Sequence, residues 1–360
     1  MGFRRVKRVK SDYRIEWSSS RIDAANYCKM RYWLRYVDPL KPEPLRISAY
    51  AKGSLLHDLI EKFWEELGSE EEVAKKSSKK KYSNSEEFVK YAQGKWKRKI
   101  NSSKKSNKPI DWNYDSEPWV ILNTLPKICR PLFDMFIDEG PPLFQELEFK
   151  FFTNGKMLRG RIDDIRVKNG AVTIRDYKSG NPWMGEMKLD HDPQLTVYSV
   201  ALGALCLQDR SIAEKLGVSQ ERAKQFLGNP VYVPEEFKLE FFMIEALSVD
   251  KSKVRTVPNT INETERTDNH FLEILKMIEG VQKDVDMNNI YPERGRKCDS
   301  CDMKGACAGR LETVATEVLV GKGGQLMMDF SVPLFMRKDE VREGPLSEAK
   351  QGRLPWRYKK

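Results

Sequence analysis

The feature that most constrains this chain is a hairpin whose strands carry charge where a sheet is otherwise apolar. Met157 to Val167 reads as one strand and Ala171 to Tyr177 as the next. Asn169-Gly170 supplies the two-residue turn between them. Asp176 and Lys178 stand two apart, so both side chains leave one face of the second strand. Alone, such a pair reads as a simple ion pair. The hairpin register, however, lays Asp163 or Asp164 beside Asp176. Two carboxylates held close in an apolar sheet repel each other unless a cation lies between them. A hard divalent ion, Mg²⁺ or Mn²⁺, takes oxygen ligands and relieves that repulsion. Such an ion polarises a phosphate oxygen and acidifies a bound water, which a lysine can orient or deprotonate.

Around the hairpin the chain alternates between helical and extended patterns. A helix is expected from Ser18-Ser19-Ser20 through Tyr36, and a second from about Gly53 to Leu67. Residues 68–108 turn rich in Lys, Ser, Asn and Glu, with basic runs at 75–81 and 95–99. They read as a surface insertion, or as a DNA-guiding surface on which Trp96 stacks against a base. A helix follows from about Trp119 to Glu139, then a strand from Phe144 to Phe152. Asp192-Pro193 is an N-cap followed by proline at the first helical position, opening an apolar helix from Gln194 to Leu207. Residues 238–247 read as a further strand and 262–288 as a long helix.

The net charge of +10 suits a polyanionic partner as well as it suits a solvated surface. No run approaches the roughly 18 apolar residues of a membrane span. No apolar segment follows the basic start Met1 to Arg8, so a cytoplasmic location is expected. Cys298, Cys301 and Cys307 form a C-x₂-C-x₅-C set, and thiolates that close need a metal centre to offset their repulsion. Cys28 is the natural fourth ligand, while Cys129 and Cys206 lie in apolar helices as core residues. By spacing alone zinc is favoured over an iron–sulphur centre. His191 and His270 fit no motif and read as structural.

Gly160-x-x-Asp163, a hairpin, then Asp176-x-Lys178 resembles the core of the PD-(D/E)xK nucleases. Gly53-x-x-x-His57 upstream and Gln194-x-x-x-Tyr198 downstream are similar to the RecB-like branch. The resemblance implies His57, Asp163, Asp176 and the Tyr177 carbonyl as metal ligands and Lys178 as the catalytic lysine. It implies Gln194 and Tyr198 as residues that line the site and contact substrate or the lysine. The Gly-x-x-Asp spacing selects Asp163 over Asp164, although a bulge would exchange them. One upstream cysteine and three downstream resemble the iron–sulphur members, among them AddB-type subunits and CRISPR-associated exonucleases. That implies a [4Fe–4S] cluster on Cys28, Cys298, Cys301 and Cys307, closing the fold around its sheet. Lys29 stands where many relatives carry proline.

The expected architecture is α/β, a central mixed sheet flanked by helices. A basic arm spans 1–14 and the nuclease domain 15–310. Within it lie a helical, partly basic insertion at 68–140 and an iron–sulphur lobe, and a C-terminal extension covers 311–360. The expected activity is Mg²⁺- or Mn²⁺-dependent hydrolysis of DNA, single-stranded and from an end. The alternative is a nucleic-acid-binding subunit active only within a repair, replication or CRISPR-adaptation complex. No phosphate loop of the G-x-x-x-x-G-K-[ST] type occurs, so unwinding would need a helicase or recombination partner.

Overall fold

Both Asn-Gly pairs form the turns their chemistry favours. Asn154 and Gly155 have φ of 45° and 73°, and Asn169 and Gly170 have φ of 52° and 79°. They join β2 (Phe144–Thr153) to β3 (Lys156–Lys168), and β3 to β4 (Ala171–Lys178). These elements belong to a computed structural model that describes residues 16–75, 78–179, 192–228, 233–234, 237–244, 248–250, 253–255, 260–287, 289–293, 295–299 and 301–308. The basic arm, His191, residues 245–247 and the extension beyond 310 lie outside the described residues.

The sheet is mixed, as expected. Its order is β1 (Glu16–Trp17), β3, β4, β5 (Phe237–Met243), β8 (Thr260–Thr264), with β2 also paired to β3. The β1–β3 and β4–β5 pairs are parallel, and the others in this sheet are antiparallel. Between β4 and β5 the chain passes through α8 (Pro193–Gln208), α9 (Arg210–Leu216) and α10 (Gln220–Gly228). A separate short hairpin pairs β6 (Ser248–Asp250) with β7 (Lys253–Arg255).

One face of the sheet packs on a helical core. It is formed by α3 (Ser48–Glu61), α6 (Ser85–Lys105) and α7 (Glu117–Glu139), which bury Phe63, Phe88, Trp96, Ile128 and Phe136 with Tyr177 and Phe242. The other face carries α8, which contacts β2, β4 and β5. Spacing explains α6: Phe88, Ala92, Trp96 and Ile100 recur every fourth residue and all are buried. Asn84 caps it, accepting from Glu87 N at 3.0 Å. In α7, Pro126 has no N–H to give the Leu122 carbonyl. Gln93 Nε2 supplies that bond from α6, at 3.2 Å.

Several expectations are corrected. Trp96 is wholly buried and its Nε1 donates to Pro118 O at 2.8 Å, so it offers no stacking face to a base. The helix expected through Tyr36 is broken into α1 (Ser19–Tyr27) and α2 (Lys29–Tyr36). Cys28 is the break, in extended conformation at φ −171° and ψ 126°. The second expected helix is interrupted at Lys62, leaving α4 (Phe63–Glu66). The helix expected from 262 begins only at Asp268, as α11 (Asp268–Asp286). Before it, β-branched Thr260, Ile261 and Thr264 extend into β8 along β5. α5 (Glu70–Ala74), α9 and α10 went unpredicted, α5 being held by a Ser69–Glu72 capping box.

The described residues within 16–22 and 47–276 form one compact unit, and those within 23–46 and 277–308 another. The sheet belongs to the first. In the second, the fully buried Asp302 carboxylate lies 2.7 Å from Arg31 Nε and 3.3 Å from Arg35 Nη1. Among the described residues no helix is long and apolar enough to cross a membrane.

Gly160 shows why its motif requires glycine. It faces Phe149 across the β2–β3 pair, and a Cβ there would lie 2.7 Å from the ring's Cζ. Phe149 is itself buried and edge-on to Tyr198, with ring centroids 6.1 Å apart. Gly160→Ala therefore overpacks a fixed ring, and we expect a loss of about 1–3 kcal/mol in unfolding free energy. Denaturant melts of the two proteins check this.

Candidate active site

Alternation along β3 and β4 sorts the charges onto two faces. Asp164 pairs directly with Arg175, so both point to the helical core. There the Tyr177 hydroxyl donates to Asp164 Oδ2 at 2.5 Å, and Arg166 Nε and Nη2 bond the same oxygen at 3.1 Å. Arg175 bridges Glu139 and Glu240 on this face. Asp163 and Asp176, each one residue along, point the opposite way with Lys178. The structure thus brings Asp163, and not Asp164, to the site.

On that face the expected residues meet. The Tyr177 backbone N–H donates to Asp163 Oδ2 at 3.1 Å, and His57 Nδ1 lies 4.0 Å from the same oxygen. His57 rides on α3, which reaches the end of β4 because Gly53 has no side chain: a Cβ there would stand 3.1 Å from Ser179 Oγ. Lys178 Nζ lies 2.8 Å from Asp176 Oδ2, without the alignment of a hydrogen bond, and donates to Gln194 Oε1 at 2.5 Å. Gln194 Nε2 then donates to Tyr198 OH at 2.7 Å, and that hydroxyl donates to Asp163 Oδ1 at 3.5 Å. The relay has one direction. An ammonium only donates, so Gln194 presents its oxygen to Lys178, its NH₂ to Tyr198, and the phenolic proton faces Asp163. This is why an amide at 194 and a hydroxyl one turn later on α8 serve the pattern.

Burial dominates the electrostatics. It pushes Asp163 well above the usual carboxylate range, with Asp176 adding to the effect. It pushes Asp176 up too, against the pull of Lys178. Burial holds the His57 imidazole below its ordinary value, outweighing Asp176, so the ring is neutral near pH 7. Lys178 is desolvated as well, but Asp176 and Asp192 outweigh burial and keep it charged. Asp176 is 1% exposed, and its Oδ1 has no hydrogen-bond partner among the described residues.

A divalent cation answers each of these conditions. It gives the orphan oxygen a partner, lets both carboxylates ionise, and accepts a neutral imidazole. The donor types therefore suit such an ion, although among the described residues no three His, Cys, Asp or Glu are placed to hold a metal ion as they stand. A pH prediction follows. Carboxyls whose folded affinity for protons exceeds the ordinary 3.8 leave the folded state binding more protons than the unfolded one. Without cation, stability should fall as pH rises from about 4 through their folded range. Added Mg²⁺ should flatten that fall, which melting curves from pH 4 to 8 measure.

Two site residues escaped the sequence reading. Asp192 was expected as the α8 cap, and its Oδ1 does accept from Gln194 N at 2.9 Å. Its Oδ2, however, also stands 4.0 Å from Lys178 Nζ. Glu146 sits in β2 opposite Asp163 and gave no signal at all. His270 accepts from Thr267 N at 3.0 Å at the start of α11.

In the second unit, Cys28, Cys301 and Cys307 join one small apolar cluster with Met30, Leu34 and Met303. Cys28 Sγ accepts from Glu293 N at 3.4 Å and Cys298 Sγ donates to Glu293 O at 3.7 Å. All four sulphurs thus gather within one lobe. Cys129 and Cys206 are buried in the first unit, as expected of core residues.

The family model of the PD-(D/E)XK nuclease superfamily matches residues 16–308. Among solved structures, a "Putative exonuclease" from Eubacterium rectale is similar at 13% identity and a TM-score of 0.38. The similarity covers 86% of this chain and 94% of that one. A search of curated proteins gives no match.

Proposed function

Because this chain belongs to the PD-(D/E)XK nuclease superfamily, we propose that its site hydrolyses DNA phosphodiester bonds with a divalent cation held by His57, Asp163, Asp176 and the Tyr177 carbonyl. The observation that carries this reading is the buried Asp176 carboxylate, unsatisfied at Oδ1 and flanked by Asp163 and Lys178. Magnesium or manganese bound there supplies Lewis-acid polarisation of the scissile phosphate.

The chain's own groups do the rest. Lys178, kept charged by Asp176 and Asp192, orients the attacking water and offsets negative charge as it develops. Gln194 fixes the ammonium, since one of its donor directions is taken by Oε1. Tyr198 holds Asp163 in its rotamer from the far side. The Asp164–Arg166–Tyr177 network on the reverse face pins the strand whose carbonyl joins the site.

We also read this chain as a RecB-like nuclease with a [4Fe–4S] cluster on Cys28, Cys298, Cys301 and Cys307. What supports the cluster is that Cys28, Cys301 and Cys307 share one small apolar cluster and that the Cys28 and Cys298 sulphurs both bond the Glu293 backbone. The cluster would act as a structural tie between the start of α2 and residues 298–307.

Exonuclease action on single strands is the proposed specificity. Linear and circular single-stranded DNA, incubated with Mn²⁺, test it: linear strands should be degraded and circles spared. Nicking of circles at a comparable rate would make the enzyme an endonuclease. Activity that appears only with a partner protein would favour the complex-dependent alternative.

A further inference from the structure

Two lysines of α6 reach across to α3, and only one of them finds an anion there. Asp58 of α3 lies 2.7 Å from Lys62 and also pairs with Lys95 of α6. Lys99, one turn on from Lys95, is half-buried against the same helix. Its ammonium donates to the Ala51 carbonyl at 3.1 Å and to the Ser54 hydroxyl. Both partners are neutral, and among the described residues no carboxylate pairs with this lysine. Burial draws its proton affinity down, and Asp58 only partly restores it. A desolvated cation among neutral dipoles favours an anion that supplies the missing charge.

Its position identifies that anion. Tyr50, Ser54 and His57 succeed one another by single turns along one face of α3. Ser54 and His57 are three apart, so their Cβ atoms are neighbours at about 5–6 Å. Tyr50, 43% exposed, continues this face one turn farther from His57. A DNA strand whose cut phosphate lies at His57 and Asp163 therefore meets Ser54 and Lys99 with its next phosphate, and Tyr50 with a base. A lysine that only tied α6 to α3 would do so best through a carboxylate, as Lys95 does with Asp58. Position 54 instead carries an exposed hydroxyl, which accepts from the ammonium and can donate to a phosphate oxygen. Its present bond to Ala51 O is long, at 3.3 Å, and readily exchanged.

From these observations we propose that Lys99 and Ser54 form a phosphate seat beside the active site, holding the substrate strand at the nucleotide next to the bond that is cut. This assignment rests on the nuclease reading and adds to it two residues that are not motif letters.

The test is fluorescence anisotropy of a labelled single-stranded oligonucleotide bound to the full-length protein, in chelator to prevent turnover, over a range of salt. Lys99→Gln should lower the slope of log affinity against log salt by about 0.7, the share of one phosphate contact on a single strand. Its binding should then be about fivefold weaker than wild type at about 0.1 M salt and equal to it near about 1 M. Lys99→Arg should keep the wild-type slope, and so should Lys97→Gln, which removes an exposed lysine of α6. Ser54→Asp gives Lys99 a carboxylate partner, so it decides the matter should Lys99→Gln fail to fold, and it should weaken binding at least as much. An unchanged slope in Lys99→Gln, or unchanged affinity in Ser54→Asp, overturns the phosphate seat and, where wild type cleaves in Mn²⁺, leaves the nuclease reading standing. An equal fall in Lys97→Gln, the mark of general surface charge, overturns the seat as well. A wild type that neither binds nor cleaves DNA overturns both.

Discussion

Lys178→Met is expected to abolish cleavage while tightening the grip on the cation. The ammonium stands 2.8 Å from Asp176 Oδ2, in the position where it both serves the reaction and repels a metal. Removing it should slow turnover by about a hundred- to ten-thousandfold, the range of a positioned proton-transfer or charge-stabilising group. Losing a positive charge a few ångströms from the metal should raise Mn²⁺ affinity by at least about tenfold, the value left even if the repulsion is screened as strongly as in water. The variant also strands a buried carboxylate without its partner, so its metal-free melting temperature should fall and Mn²⁺ should restore it. Asp176→Asn, by contrast, should lose both turnover and Mn²⁺ binding. Parallel kinetics and calorimetry separate the two patterns. Equal loss of binding in both variants would contradict the assigned division between ligand and catalytic lysine.

Cys298→Ala is the second large effect. If the four cysteines hold an iron–sulphur cluster, anaerobically purified wild type is brown with absorption near about 400 nm, and the variant is colourless. The cluster closes a loop of some hundreds of residues between Cys28 and Cys298, so its loss resembles the loss of a long-range cross-link. A cost of several kcal/mol is the expected order, read as a fall of about 5–10 °C in melting temperature. The Asp302 bridge to Arg31 and Arg35 remains in the variant and keeps the turn attached to α2. A brown variant, or a wild type holding a single zinc ion, contradicts the cluster.

How much of this was legible in the sequence follows from the range of each signal. The Asn169-Gly170 hairpin, the Asp192-Pro193 cap and the Asp176-x-Lys178 face are local, and each stands where its chemistry puts it. Gly160 and Gly53 were legible as motif letters, but their reasons, the Phe149 ring and Ser179, are contacts across the fold. Trp96 misled because its neighbours Lys95, Lys97 and Arg98 suggested a surface, whereas helical geometry turns position 96 inward with Phe88 and Ala92. Thr260–Thr264 misled because a short strand beside a long helix shares its apolar residues, and only β5 decides the matter. Glu146 left no trace, since its place across from Asp163 is set by the β2–β3 register and not by the residue itself.

The most direct test of the whole account is end-labelled DNA incubated with wild type and Asp176→Asn, in Mg²⁺, in Mn²⁺ and in chelator. The account predicts shortening of the labelled strand by wild type with either metal, none in chelator, and none by the variant under any condition. Cleavage that persists in Asp176→Asn, or that proceeds at full rate in chelator, would contradict it.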